Sequence, residues 1–274
     1  MKIYLVTDME GVAGVQNFAD WTGPDARYYQ RGRELLTLEV NAAVDGFCAA
    51  GATEILVVDG HGPGAVDIQL LDPRADFLRG WGPGPYPLCL DESFDAVAWV
   101  GQHAKSRTPY SHMTHTQGCA YYELTINGVA LGEFGQVAYC AAELGVPLIF
   151  GSGEQAFTEE ARELVPEIET VAVKRGLNPH SGDELTAEQY RVSTSSAIHT
   201  NPVRARECIR IGAERAVRRF LEEPFGKLEI SPPYEKVITL RACEEYPYRR
   251  RSVAHHPDSV IEIMNANAPF ERSE

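Results

Sequence analysis

Four short apolar runs, each stopped by a glycine or an aspartate, constrain the fold of this chain more than any other feature of its sequence. They span residues 2–7, 54–58, 94–100 and 146–150. Each has the length of a buried strand. Between the first two runs, residues 28–50 repeat apolar side chains at helical spacing and end at Gly51. Strands that alternate with helices predict an α/β fold in which a mainly parallel sheet is sandwiched by helices.

A hairpin and two helices are predicted from turn and cap residues. Asn127-Gly128 is a strong signal for a tight β-turn and predicts a hairpin within residues 121–131. A helix is expected next, over residues 133–144. Asn201 followed by Pro202 is a typical helix start and predicts a helix over residues 202–222.

The C-terminal part of the sequence predicts a smaller α+β portion. Apolar stretches at residues 236–240 and 260–263 indicate two further strands. Residues 175–200 are polar and are expected to form a loop that joins two parts of the chain. We therefore predict two domains. They are an α/β domain over residues 1–195 and a smaller α+β domain over residues 196–274.

Charge and cysteine usage exclude several classes of partner. The chain has 39 acidic and 25 basic residues, a formal charge of −14. Such a surface repels nucleic acid and anionic membranes, so neither is an expected partner. No apolar run approaches the roughly 18 residues that cross a bilayer. The six cysteines are widely spaced and form no Cys-x-x-Cys pair, which favours reduced thiols in a cytoplasmic protein.

Acidic and imidazole side chains follow three of the predicted strands. Asp8 and Glu10 come after the first strand, Asp59 and His61 after the second, and His103 after the third. Ligands of open α/β sheets bind beyond the carboxyl ends of the strands, where these side chains would meet. Two carboxylates held together repel each other unless a cation lies between them, and imidazoles are the other ligand type that zinc uses.

Spacing alone leaves two interpretations of these residues open. A single aspartate after a strand is usually a turn or cap residue, and a histidine in a glycine-rich loop is often solvated or buried in a core. Because several such residues stand at successive strand ends, a site for divalent cations is about as well supported as these structural roles. Two such ions could clamp water and polarise a carbonyl or phosphoryl oxygen.

Residues 3–14, Ile-Tyr-Leu-Val-Thr-Asp-Met-Glu-Gly-Val-Ala-Gly, resemble the opening of the D-aminopeptidase family of dinuclear zinc metallopeptidases. Further matches come in family order. They are Val-Val-Asp-Gly-His at 57–61, Val-Gly-Gln-His-Ala at 100–104, the region of His115, and Gly-Glu-Phe-Gly at 132–135. Order and spacing agree along roughly the first 150 residues.

The resemblance implies a metal site with five ligands and two zinc ions. Asp8 would bridge the two ions. Glu10 and His103 would complete one site, and His61 and Glu133 the other. From the sequence alone, Glu133 is equally well explained as an acid at a helix N-terminus. This site would place catalysis in the 1–195 domain.

The resemblance also implies a catalytic residue, a substrate and an assembly. His115 matches the catalytic histidine of the family, and proton transfer or stabilisation of an oxyanion is the role we expect for it. The loop before it carries a second histidine, His112, which leaves open which ring faces the substrate. The implied activity is removal of N-terminal D-amino acids from short peptides. The implied assembly is a homo-oligomer, a decameric ring that encloses the active sites.

Two other functions remain compatible with the sequence. The same metal site could hydrolyse a phosphoester or another amide, for which Lys105 and Arg107 are the nearby cations. The chain could also be a non-enzymatic α/β assembly protein with a structural metal. The sequence departs from the family around His180 and after residue 240, where the basic run 249–251 and the histidines 255–256 are expected to be solvated surface.

Overall fold

The computed structural model describes residues 1–80, 82 and 84–273. The strands, in chain order, are β1 (Lys2–Thr7), β2 (Glu54–Asp59), β3 (Asp76–Leu78), β4 (Ala96–Gln102), β5 (Tyr121–Ile126), β6 (Val129–Ala130), β7 (Leu148–Glu154), β8 (Glu169–Gly176), β9 (Ala197–His199), β10 (Tyr234–Leu240), β11 (Arg250–His256) and β12 (Glu271–Arg272). The helices are α1 (Phe18–Trp21), α2 (Tyr29–Ala49), α3 (Glu133–Glu143), α4 (Gln155–Leu164), α5 (Ala187–Ser193), α6 (Pro202–Glu222) and α7 (Val260–Asn265).

A seven-stranded sheet with the order β3-β2-β1-β4-β7-β8-β9 forms the centre of the fold. Its strands are parallel except for β9, which pairs antiparallel with β8. The chain moves outward from β1 through β2 to β3 and then returns to place β4 on the other side of β1. Neighbouring connections therefore diverge between β1 and β4, and this switch point opens a crevice at the carboxyl ends of both strands.

Helices cover both faces of this sheet, as the alternating side chains of β1 require. Ile3 and Leu5 pack into one apolar core with α2 and α6, and Tyr4 and Val6 pack into a second core with α3 and α4. Successive residues of a strand point to opposite faces, so a strand buried on both sides is apolar throughout. The predicted α/β fold with a mainly parallel, sandwiched sheet is confirmed.

A second, antiparallel sheet has the order β12-β11-β10-β5-β6. The predicted hairpin joins β5 to β6, and Asn127 and Gly128 take positive φ values of 51° and 79°. Such values define the tight turn for which Asn-Gly is favoured. The two sheets draw on segments from both sides of residue 195, because β5 pairs with β10 and β9 joins the first sheet. The two-domain division remains a prediction.

Two expectations for the C-terminal half are wrong. Residues 260–263 form the first turn of helix α7 and not a strand. The Ser259 hydroxyl accepts the backbone N–H of Glu262, and Val260, Ile263 and Met264 are buried at helical spacing. A serine followed three residues later by a glutamate is a helix-start signal, which outweighs the β-branched composition of this short run.

The segment predicted as a loop, residues 175–200, contains regular structure. It ends β8 and then forms α5 and β9. Thr186 and Gln189 cap α5 reciprocally through side-chain and backbone contacts. The polar composition that suggested a loop is that of a short helix with one buried anchor, Tyr190.

Two further observations concern the cysteines and the helices. The six cysteines are free thiols in the part of the chain that the structure describes, in line with the predicted reduced state. No described helix combines the length and the apolar character that crossing a membrane requires. The cytoplasmic location remains a prediction.

Candidate metal centre

The segments after β1 and β4 approach each other so closely that two glycines are required. The Gly11 N–H donates to the Gly101 carbonyl at 2.7 Å. A Cβ atom on Gly11 would lie 2.0 Å from the Gln102 carbonyl oxygen, and one on Gly101 would lie 2.0 Å from that of Asp8. Gly101 also has a φ of 83°, which favours glycine. This close contact holds the acids after β1 against the histidine after β4.

Asp8 lies between two imidazoles. Its Oδ1 is 3.2 Å from His61 Nδ1, and its Oδ2 is 3.1 Å from His103 Nε2. Glu10 Oε2 is 3.1 Å from His61 Nδ1. All four side chains are buried. The carboxylate at the end of β1 therefore has one imidazole on each side.

Glu133 reaches the same cluster from the first turn of α3. Its Oε2 is 3.5 Å from His103 Nε2, and its Oε1 is 3.9 Å from His115 Nε2. The shortest contacts therefore group His61 with Glu10 and His103 with Glu133, with Asp8 shared, whereas the resemblance exchanged the two histidines. Possible ligand atoms of Asp8, Glu10 and His103 also lie within 4.8 Å of one another, as do those of His103, His115 and Glu133.

The imidazoles of His61, His103 and His115 each contact a backbone carbonyl through one ring nitrogen. A carbonyl only accepts hydrogen bonds, so that nitrogen carries the proton of the neutral ring. In the neutral ring the opposite nitrogen has a lone pair directed at the carboxylates, and this is the tautomer that binds a metal ion in place of a proton. The contacts are His61 Nε2 to Thr22 O at 2.8 Å, His103 Nδ1 to Ala104 O at 2.9 Å, and His115 Nδ1 to Met113 O at 3.0 Å.

This cluster fits divalent cations. Glu10 Oε2 and His103 Nε2 are buried and have no hydrogen-bond partner among the described residues. Lone pairs that face carboxylates at such distances repel one another unless a cation or a proton lies between them. Three carboxylates and three imidazoles without a thiolate form a donor set that suits zinc.

The pKa values of the cluster also show that its carboxylates attract positive charge. Burial opposes the charged form of His103, but Glu133 and Asp8 raise its pKa to about 10. Burial would likewise raise the pKa of Asp8, yet the imidazoles of His103 and His61 bring that pKa well below its ordinary value. The carboxylates of this site thus attract a positive charge strongly enough to outweigh burial.

Of the two candidate histidines, His115 faces the cluster. Its ring stacks on that of His103 with centroids 4.0 Å apart and planes 14° from parallel. Burial, together with the nearby His103, lowers the pKa of His115, so this ring is neutral at neutral pH. Its free Nε2 can accept a proton.

His112 lies in a separate buried network. Its Nε2 contacts the Gln16 carbonyl at 3.0 Å, and its ring meets that of His199 edge to face. Burial and the ammonium of Lys174 lower its pKa to about 2. This ring is not among the residues that line the cavity described below, so His112 belongs to the packing behind the site.

A comparison with protein families decides the classification. Residues 1–192 match the family model described as D-aminopeptidase. The chain belongs to the D-aminopeptidase family. It is 33% identical over 183 residues to a D-aminopeptidase of Bacillus subtilis, and the match covers 65% of this chain and 65% of that relative.

The fold of this D-aminopeptidase family member is also that of a solved structure. That structure is the Zn-dependent D-aminopeptidase DppA from Bacillus subtilis, described as a self-compartmentalizing protease. The TM-score is 0.81 at 23% identity, and the match covers 96% of this chain and 94% of that one. The similarity therefore extends over the fold as a whole, including the part after residue 240, where no resemblance to the family was recognised in the sequence.

Two acids that the sequence did not single out support the site of this family member. The buried Glu154, at the end of β7, accepts the backbone N–H groups of Ala104 at 3.1 Å and of His112 at 2.8 Å. Glu160 accepts that of Lys105 at 2.7 Å. These carboxylates fix the loop that carries both His103 and His115. The position of Glu154 at a fourth strand end is the signal that could have revealed it.

Asp59, in contrast, is not part of the cluster. Its carboxylate accepts the N–H groups of Ala65 and Val66 and closes the glycine-rich turn after β2. Its neighbour in the motif, His61, is the residue that reaches Asp8 and Glu10. Asp59 is therefore a turn residue, the usual role of a single aspartate after a strand.

A cavity of about 640 Å³ opens directly onto these side chains. Asp8, Glu10, His61, His115 and Glu133 all line it. The volume is within the range of small-molecule sites, which is roughly 300–1,000 Å³. A small molecule that enters the cavity therefore has access to the carboxylates and imidazoles.

Proposed function

We propose that this chain is a zinc-dependent aminopeptidase that removes N-terminal D-amino acids from short peptides. The observation that carries the proposal is the arrangement of three imidazoles, each held at a backbone carbonyl by one ring nitrogen, whose opposite nitrogens face three carboxylates beside a cavity. Family membership supports the reaction type, and the curated relative is named a D-aminopeptidase.

Two divalent ions, which we propose to be zinc, would be held by five residues. Asp8 would be shared between the ions. The contacts favour His61 and Glu10 for one ion, and His103 and Glu133 for the other. When bound, such a pair supplies activated water and polarises the carbonyl oxygen of the scissile bond.

His115 would move the proton that the reaction requires. Its Nδ1–H is tied to the Met113 carbonyl, so its Nε2 is available only as an acceptor in the neutral ring. Its lowered pKa keeps the ring in that form at neutral pH. We therefore propose that His115 accepts a proton and later donates it to the leaving amine. Stabilisation of an oxyanion would instead need a proton already on Nε2.

The test combines metal analysis with hydrolysis of D-alanyl and L-alanyl peptides, before and after treatment with a chelator. We expect release of the N-terminal residue, faster for the D series, abolished by the chelator and restored by zinc. His103→Ala should lose activity and bound metal together, whereas His180→Ala, in an exposed loop, serves as the matched control. Full activity of the metal-stripped protein would overturn the proposal.

A phosphoesterase is the weaker alternative because the predicted cations are engaged elsewhere. Arg107 pairs with Glu123 and Asp183, and Lys105 lies 3.8 Å from Glu160. Neither residue is among those that line the cavity. Phosphate release from a phosphoester panel without amine release from peptides would favour this alternative, and bound metal without any turnover would favour a non-enzymatic role.

We further propose that the chain acts as a cytoplasmic homo-oligomer, and the family resemblance specifies a decameric ring. The solved structure with the same fold is described as self-compartmentalizing, which supports a closed assembly. Light scattering coupled to size exclusion would measure the number of subunits. A monomer at micromolar concentration would refute the ring.

A further inference from the structure

Arg191 is the one lysine or arginine among the described residues that line the cavity. The remaining charged side chains there are acids or histidines. In the proposed centre Asp8, Glu10 and Glu133 are engaged with the two ions, so Arg191 is the cationic side chain of the described lining that is left to meet a carboxylate of a substrate. A single guanidinium in this position therefore has a specific electrostatic consequence for which substrates can enter.

The guanidinium of Arg191 is available for a ligand. Its Cζ rests 5.6 Å from the ring centroid of Phe18, and it has no hydrogen bond and no ion pair with any described residue. Other arginines of this region, such as Arg107 and Arg241, donate to carboxylates or carbonyls. A planar guanidinium with free donors matches a carboxylate in a two-pronged hydrogen bond.

The helix that carries Arg191 is held firmly in place. Its neighbour Tyr190 is buried, accepts the N–H of Arg107 at 2.8 Å and lies under the guanidinium of Arg241, whose Cζ is 3.7 Å from the ring centroid. The reciprocal cap at Thr186 fixes the start of the same helix. Arg191 is therefore presented to the cavity by an anchored element.

The distance to the cluster suits a very short peptide. Phe18 meets the ring of His115 at a centroid distance of 5.3 Å, so two successive contacts of 5.6 and 5.3 Å place Arg191 Cζ at most about 11 Å from that ring. A reacting carbonyl about 3.5 Å from His115, one extended residue of about 3.5 Å and a guanidinium–carboxylate separation of about 4 Å add up to this upper limit. A dipeptide can therefore reach from the cluster to the guanidinium, and a longer extended peptide exceeds the limit.

We propose that Arg191 binds the C-terminal carboxylate of the substrate and selects very short peptides with a free carboxylate. The inference rests on the proposed aminopeptidase function. In this arrangement the scissile carbonyl lies at the carboxylate–imidazole cluster, while the guanidinium of Arg191 fixes the other end of the peptide. An amide-capped or longer peptide loses this contact.

The test compares alanyl-alanine, in both configurations, with the corresponding dipeptide amides on the zinc-loaded protein. We expect kcat/KM of the wild type to favour the free acid by about tenfold, mainly through KM, as the loss of one charge-assisted pair at a partly exposed site predicts. Arg191→Ala should bring the ratio of acid to amide close to one, and Arg191→Lys should keep part of the preference. Arg204→Ala, on the exposed face of α6, is the matched control.

The outcomes separate this inference from the proposed function. An acid-to-amide preference that survives in Arg191→Ala, or equal losses on both substrates, would overturn the role of Arg191 and leave the aminopeptidase assignment intact. A wild type that hydrolyses neither dipeptide nor amide would instead reject the proposed function, and the role of Arg191 with it.

Discussion

The buried ring of His112 predicts a specific loss of stability in mild acid. This histidine is fully buried beside Lys174 and His199, and these surroundings lower its pKa from the ordinary 6.5 to about 2. The unfolded chain takes up a proton near pH 6.5, whereas the folded chain does not. Below that pH the unfolded state binds more protons, so the free energy of unfolding decreases as the pH falls.

The size of this change in the free energy of unfolding follows from the ordinary pKa of histidine. It does not depend on how far below pH 5 the pKa of His112 lies in the folded protein. Between pH 7 and pH 5 this single group should remove about 2 kcal/mol from the free energy of unfolding. His112→Gln keeps a donor for the Gln16 carbonyl but removes the titrating ring. We expect the variant to be less stable than the wild type at pH 7 and the gap to narrow by about 2 kcal/mol at pH 5.

Urea unfolding of metal-free protein at the two pH values measures this difference, with a chelator present so that loss of zinc does not contribute. His255→Gln, whose side chain is 69% exposed on β11, is the control and should follow the wild type. Parallel stability curves for His112→Gln and the wild type would show that the folded protein protonates His112 as readily as the unfolded chain does. The assignment of His112 to a dry network would then be wrong.

Three further predictions concern the framework of the site and the C-terminal helix. Glu154→Gln turns one acceptor into a donor that faces a backbone N–H, so we expect a loss of about 2–3 kcal/mol in urea unfolding and weaker zinc binding in titration, with exposed Glu163→Gln as control. Gly11→Ala forces a Cβ to within 2.0 Å of a backbone oxygen and should lower the free energy of unfolding by more than about 3 kcal/mol. Gly23→Ala, whose Cβ would have no atom of the described residues within 4 Å, should be near neutral in the same assay. Ser259→Ala removes the cap of α7 and should lower the free energy of unfolding by about 1 kcal/mol; an unchanged urea midpoint would contradict that role.

The central sheet could be predicted because its strands are buried on both faces. β1 packs Leu5 into one core and Val6 into the other, so the run is apolar throughout, and its short length before Asp8 is typical of a strand. The prediction of a strand over residues 260–263 was wrong because a short, mainly apolar run of four residues fits a strand or a helical turn equally well. The deciding information was Ser259, just before the run, whose hydroxyl accepts the backbone N–H of Glu262.

The candidate site was predictable where residue type and strand end coincide, as for Asp8, His61 and His103. Spacing could not identify Glu133, because an acid in the first turn of a helix is common for other reasons. The choice between His112 and His115 needed three-dimensional packing, since both lie in one loop and their different contacts, His115 on His103 and His112 on His199, are formed by distant parts of the chain. The position of Arg191 in the cavity could not be predicted because the helix that carries it was expected to be a loop.

Zinc-edge anomalous scattering from crystals of the zinc-loaded protein tests the central claim most directly. We expect two peaks per chain, about 3.5–4 Å apart, with the Asp8 carboxylate between them and the unprotonated nitrogens of His61 and His103 on opposite ions. A map without peaks at these side chains, or a single ion bound elsewhere on the surface, would contradict the assignment of a two-metal hydrolase.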